Sequence, residues 1–191
     1  MRSAPLLLAG LALAGCGGTA TGNDAGAANV VAENASAPTA QRRTETGGWA
    51  DLFAMPAPRA LALFEKLSFR PGGYAEMGGM MMSHGAPISL ADTAAGKTNA
   101  LTFNASGDAT QLNGVSFDVV IEDEAQGAAS RERAIGSITT ALRIAGLDGA
   151  AVVKAALSKD ARPATGQVAG ANYAVIRKDA RTTINFTKQS T

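Results

Sequence analysis

Cysteine and histidine are nearly missing from this chain, whose 191 residues hold one of each, Cys16 and His84. A single cysteine leaves no disulfide and no cysteine-based zinc site. A single histidine leaves a serine or threonine nucleophile only one imidazole to serve as its base. No serine sits in a Gly-x-Ser-x-Gly elbow, no Gly-x-Gly-x-x-Gly occurs, and Gly96-Lys97-Thr98 lacks the upstream glycine of a P-loop. Ser83 and His84 are adjacent, and adjacent side chains usually diverge, so they make a poor catalytic pair. A divergent hydrolase is therefore the least favoured reading. An excess of one charge is missing too, with 17 basic residues against 16 acidic. That balance removes the long-range attraction by which basic proteins find nucleic acid, and no nucleic-acid partner is expected. Long apolar runs are also absent. The stretch from Pro5 to Leu13 falls well short of the roughly 20 residues that span a bilayer.

What is present at the N-terminus has three parts: Met1-Arg2-Ser3 with one positive charge, the short apolar run, and small residues leading to Cys16. This is the pattern of an export signal. Leu13-Ala14-Gly15-Cys16 resembles the lipobox of bacterial lipoproteins, in which a leucine and two small residues precede a cysteine that receives a diacylglycerol. The resemblance covers residues 1–16 only. It implies removal of residues 1–15, acylation of Cys16, and a partner in the lipid bilayer. Several acyl chains make a durable anchor, since each buried methylene contributes about 0.8 kcal/mol. Gly17, where aspartate is not found, implies sorting to the outer membrane with the domain facing the periplasm. Loss of Arg2 with the leader leaves 16 basic residues against 16 acidic ones.

Residues 16–46 follow as a stretch of glycine, alanine, threonine, asparagine and serine in which Val30-Val31 is the only apolar pair. Too little can be buried there to offset ordering, so a tether of about 30 Å typical span is expected. A single domain over residues 47–191 is long enough for a real core, and 46% hydrophobic against 17% charged residues is a globular balance.

Within that domain Trp49, Leu52 and Phe53 share a helical face, and Pro58 opens a second helix lined by Leu61, Phe64 and Leu67. Residues 72–97 read as a long loop in which only Ile88 to Leu90 suggests a strand. Leu101 to Ala105 and Val115 to Val119 alternate as half-buried strands, and Asn113-Gly114 favours a primed hairpin turn. Ser106-Gly107-Asp108 offers an earlier turn in the same meander. Ser130 suits an N-cap before Ile135, Ile138, Leu142 and Ala145, a stripe ending at Gly146. Val152, Val153, Ala156 and Leu157 form a shorter helix, and Tyr173 to Ile176 with Thr182 to Phe186 form a C-terminal hairpin. The expected class is α+β: an antiparallel sheet of four to five strands with two or three helices on one face.

The oddest passage runs from Met77 to Gly85, where four of the six methionines and the only histidine fall together. Thioethers suit Cu(I) and imidazole also binds copper, so Met77, Met80, Met82 and His84 are candidate soft-metal ligands. The same methionines could instead fill gaps in the core or offer an adaptable surface to an apolar partner. Glu122, Asp123 and Glu124 could hold calcium or act as acid and base, but a run at a strand end is more often a solvated turn. Arg131, Arg133, Arg143, Lys154 and Lys159 would line the two later helices, as a solvated face or a docking surface for acidic partners. No cofactor is implied. The function expected is that of a membrane-anchored envelope lipoprotein, a non-enzymatic binding or accessory module with an envelope protein partner; periplasmic copper binding is the alternative.

Overall fold

The computed structural model describes residues 46–190, so Cys16 and the tether expected over residues 17–45 lie outside the described residues. The first described residue, Thr46, donates both its amide and its hydroxyl to the Ala145 carbonyl, at 3.1 and 2.6 Å.

The chain runs α1 (Trp49–Ala54), α2 (Ala57–Lys66), β1 (Ala75–Met77), β2 (Met80–His84), β3 (Ile88–Ser89), β4 (Asn99–Gly107), β5 (Leu112–Ile121), α3 (Gly127–Ala145), α4 (Ala150–Ala156), β6 (Ala164–Val168), β7 (Ala171–Lys178) and β8 (Arg181–Lys188). All pairings are antiparallel, in the order β1-β2-β4-β5-β8-β7-β6, with β3 also paired to β4. The α+β class holds, with helices packed against an antiparallel sheet, but among the described residues that sheet has eight strands where four to five were expected. Among the described residues no helix is long and apolar enough to cross a membrane.

Three local readings are corrected. Residues 72–97 are not one long loop: besides the brief strand at Ile88–Ser89 they hold a hairpin, in which Gly78 and Gly79, at φ 62° and 84°, make a two-residue turn that pairs Met77 with Met80. Asn113-Gly114 lies inside β5 and is not a turn, because the chain has already reversed at Asp108 to Gln111. There the Asp108 carboxylate accepts from Thr110 N, Thr110 Oγ1 and Gln111 N at 2.7 to 2.9 Å. Ser130 is not a cap, since its hydroxyl accepts from Asn99 Nδ2 at 2.8 Å and α3 starts three residues earlier. Asp123 caps the 3-10 turn that leads into α3 by accepting from Ala125 N.

Strand alternation sends Leu101, Phe103, Val115, Phe117, Val119, Ile184 and Phe186 to one face, and all are buried. The helices cover that face. Trp49 of α1 stacks on Phe186 at 4.6 Å between ring centroids, and Phe64 of α2 stacks on Phe103 at 4.4 Å. Ile138 and Leu142 of α3 and Val153 of α4 complete the cover, all fully buried.

Trp49 also donates its indole N–H to the Asp148 carbonyl at 2.6 Å, joining α1 to the α3–α4 connection. Trp49→Ala should cost about 3–5 kcal/mol, the range for deleting a buried aromatic. Urea unfolding followed by circular dichroism checks this, and a loss below about 1 kcal/mol would contradict the packing role.

Candidate functional site on the open sheet face

Among the described residues the opposite face carries no helix, and the register fixes what it presents. Across the sheet His84, Asn104, Ser116, Asn185 and Ala174 stand side by side on β2, β4, β5, β8 and β7. The next row holds Ala75, Met82, Ser106, Gly114, Thr187 and Asn172. Met77 and Met80 form the last pair at the hairpin tip. On the other flank stand Thr102, Asp118, Thr183 and Ile176.

Gly114 sits between Ser106 and Thr187, and a Cβ there would meet Ser106 Oγ at 3.3 Å and Thr187 Cγ2 at 3.4 Å. Its missing side chain opens a cleft of about 270 Å³, lined by Met82, Asn104, Ser106, Ser116, Asn185 and Thr187 among others. The lining mixes the amides of Asn104 and Asn185 and the hydroxyls of Ser106, Ser116 and Thr187 with apolar surface from Met82, Ala105 and Val115.

Asn104 is 9% exposed and donates Nδ2 to Asp118 Oδ2 at 2.8 Å, while its buried Oδ1 faces no protein donor. An acceptor buried without a partner costs about 1–3 kcal/mol, so this amide is not kept for packing alone. Asp118 is held in turn by the Thr183 hydroxyl, which donates to Oδ1, and by Arg181 Nη1 at 3.8 Å. What the cleft offers a ligand is hydrogen bonding at the hydroxyls of Ser106, Ser116 and Thr187 and the amide of Asn185. It has no base and nucleophile within reach of each other, since His84 is exposed at the end of its row and Ser83 points to the other face. Ser83 is buried there, donating to the Gly72 carbonyl at 2.8 Å.

The methionines are the surprise of this face. If they filled the core they would be buried, yet Met77 and Met80 are 55% and 54% exposed. Met82 is half-buried against the cleft. All four candidate ligands lie on one face, as the alternation of β2 requires, but His84 stands four residues from Met80, about 13 Å along the strand.

The acidic run proves to be structural. Glu122 Oε2 accepts from Thr98 N at 2.8 Å, Glu124 pairs with Arg131 at 2.8 Å, and Asp123 Oδ2 accepts from Ala94 N at 2.9 Å. Asp123 is held below its ordinary pKa first by that Ala94 amide, with Ala125 N and Lys97 adding to it against the opposing effect of desolvation. Among the described residues no three His, Cys, Asp or Glu side chains gather as a metal site. Of the basic residues, Arg131 is committed to Glu124 and Arg133 reaches the Leu90 carbonyl at 3.4 Å, while Arg143, Lys154 and Lys159 are exposed and not gathered into one patch by any contact. The sequence reading missed the Asn104 cleft entirely, and the only signal for it was polar alternation in β4 and β5.

Comparison of the chain with protein-family models, with curated proteins and with solved structures finds no match.

The turn that aligns β4 with β5 is built on an ionised carboxylate, Asp108, which accepts three hydrogen bonds. The Thr110 hydroxyl, then the Thr110 and Gln111 amides, hold Asp108 down to about 2 from an ordinary 3.8. A depressed carboxyl stabilises the fold above its unfolded value and loses that contribution as pH falls through the folded one. Asp108→Asn should therefore be less stable than wild type at neutral pH, with the gap closing between 3.8 and about 2. Urea unfolding across that window checks it; a gap that stays constant would exclude the Asp108 contacts as its source.

Proposed function

We propose that this chain is a lipid-anchored protein of the bacterial cell envelope, a non-enzymatic module that binds or steadies another envelope component. The observation that carries the reading is the run Leu13-Ala14-Gly15-Cys16 after a short apolar segment, followed by a low-complexity stretch and then a folded domain. The acylated cysteine fixes the chain to the bilayer, and Gly17 directs it to the outer membrane, facing the periplasm. The stretch between gives the domain a reach of about 30 Å. Binding falls to the open sheet face, because one side of the sheet is committed to the core and the other holds a cleft in which amides and hydroxyls are set among apolar surface. Neutral mature charge and uncharged lining groups suit recognition by hydrogen bonds and shape more than by electrostatic steering.

Two measurements test this. Cells expressing the chain with a C-terminal tag and fed an alkyne fatty acid should yield a labelled protein in the membrane fraction. Cys16→Ala should be unlabelled and released from membranes. An intact mass equal to the unprocessed chain would overturn the anchor. A photocrosslinker at Asn185, on the open face, should capture one envelope protein in near-stoichiometric yield, while one at Lys154, on the exposed side of α4, should not. Equal yields from both positions would overturn the assignment of the open face.

A further inference from the structure

The hairpin of β1 and β2 leaves three thioethers without any packing role that the fold explains. Burying a methionine side chain stabilises by about 1.5–3 kcal/mol, and Met77 and Met80 forgo roughly half of that by standing on the exposed face. Their positions are set by the turn. Gly78 and Gly79 at positive φ close a two-residue loop, so Met77 and Met80 are direct cross-strand neighbours with Cβ atoms about 5.5 Å apart. Met82 follows on the same face, about 7 Å along β2 from Met80 and diagonal to Met77. Methionine is unbranched, with three rotatable bonds, so three sulfurs so placed can turn inward to a common point above the hairpin. Met81 cannot join them, because it points to the other side with Glu76 opposite it. His84, about 13 Å from Met80, is beyond the reach of a centre shared with Met77.

We propose that Met77, Met80 and Met82 form a three-thioether site for a soft monovalent cation of the Cu(I) class, with His84 outside it. Thioether sulfur is a soft, neutral donor that selects Cu(I), whereas zinc, calcium and magnesium take imidazole, thiolate or oxygen ligands. The same face of the hairpin offers none of those except the distant His84. The site is reached by rotation of the exposed Met77 and Met80 and the half-buried Met82, and it lies at the sheet edge where an ion can arrive from solvent.

Silver(I), which shares the preference of Cu(I) for sulfur and does not change oxidation state, is the probe. The full chain in detergent, with its methionine methyl groups labelled with carbon-13, is titrated with silver(I). The methyl signals of Met77, Met80 and Met82 should move together and saturate near one equivalent, while those of Met55 and Met81 stay still. Competition against a chromophoric Cu(I) chelator under anaerobic conditions then gives affinities. Replacing all three by leucine keeps the hairpin apolar, and should weaken Cu(I) binding by about 100-fold or more, which is about 2.8 kcal/mol. His84→Ala should change it less than about threefold, about 0.7 kcal/mol. Methyl signals that do not move, or a triple leucine variant that binds as wild type does, would overturn the site. A loss for His84→Ala as large as for the leucine variant would overturn the three-sulfur assignment in favour of a Met82–His84 pair.

Discussion

Everything in this domain hangs on one continuous stack of aromatic rings. Trp49 packs on Phe53 and Phe186, Phe186 meets Phe117 edge-on at 6.5 Å, and Phe117 touches Phe69, Phe103 and Phe64 within 6.4 Å. The only tryptophan and all six phenylalanines of the chain are in this set, each no more than 2% exposed. Each large ring removes on the order of 150–250 Å² from water, and the pair geometries add about 0.5–1.5 kcal/mol apiece. The stack joins α1 and α2 to β4, β5 and β8. In a chain without a disulfide in its described part, it is the cross-link between layers.

Placing every ring on one side of the sheet decides what the other side can be. Side chains alternate, so Phe103 and Phe117 inside require Asn104, Ser116 and Asp118 outside. A slip of one residue in β4 against the core would bury that polar set and expose the rings. The register of the open face is therefore enforced by the hydrophobic one, and Asn104 is held rigidly beside Asp118 by the same packing. This is how a buried acceptor without a donor persists: the ring stack fixes the backbone, and the local cost of about 1–3 kcal/mol is small beside it.

Where two levels of the chain agreed, the fold was legible. The stripe of Ile138, Leu142 and Ala145 gave α3, alternation gave β4, β5, β7 and β8, and the Trp49, Leu52 and Phe53 face gave α1. The first two strands were hidden because methionine and glycine carry weak strand preference, so composition suggested an irregular segment. Gly78-Gly79 flanked by Met77 and Met80 was nonetheless a two-residue hairpin signal. Asn113-Gly114 failed for the opposite reason. It is a good turn pair in isolation, but Asp108 with its three hydrogen bonds closes the reversal earlier, and Gly114 then falls within β5, where a Cβ would stand 3.3 Å from Ser106 Oγ and 3.4 Å from Thr187 Cγ2. The cleft and the orphaned Asn104 Oδ1 were invisible in principle, since which side chains become neighbours depends on a register set by distant residues.

Exposed methionine at a sheet edge also has a physical logic of its own. An edge strand invites pairing with another chain, and long runs of β-branched residues make that hazard worse. β1 is only three residues long, closes immediately in a glycine turn, and carries flexible unbranched side chains in place of valine or isoleucine. Such an edge is a poor template for a further strand. It can therefore stay uncovered with Glu76 as its one charge, on the side away from Met77, and this leaves the sulfurs of Met77 and Met80 exposed. Valine would have filled the same hairpin with better strand propensity, but with neither a soft donor nor the rotational freedom to reach a shared centre.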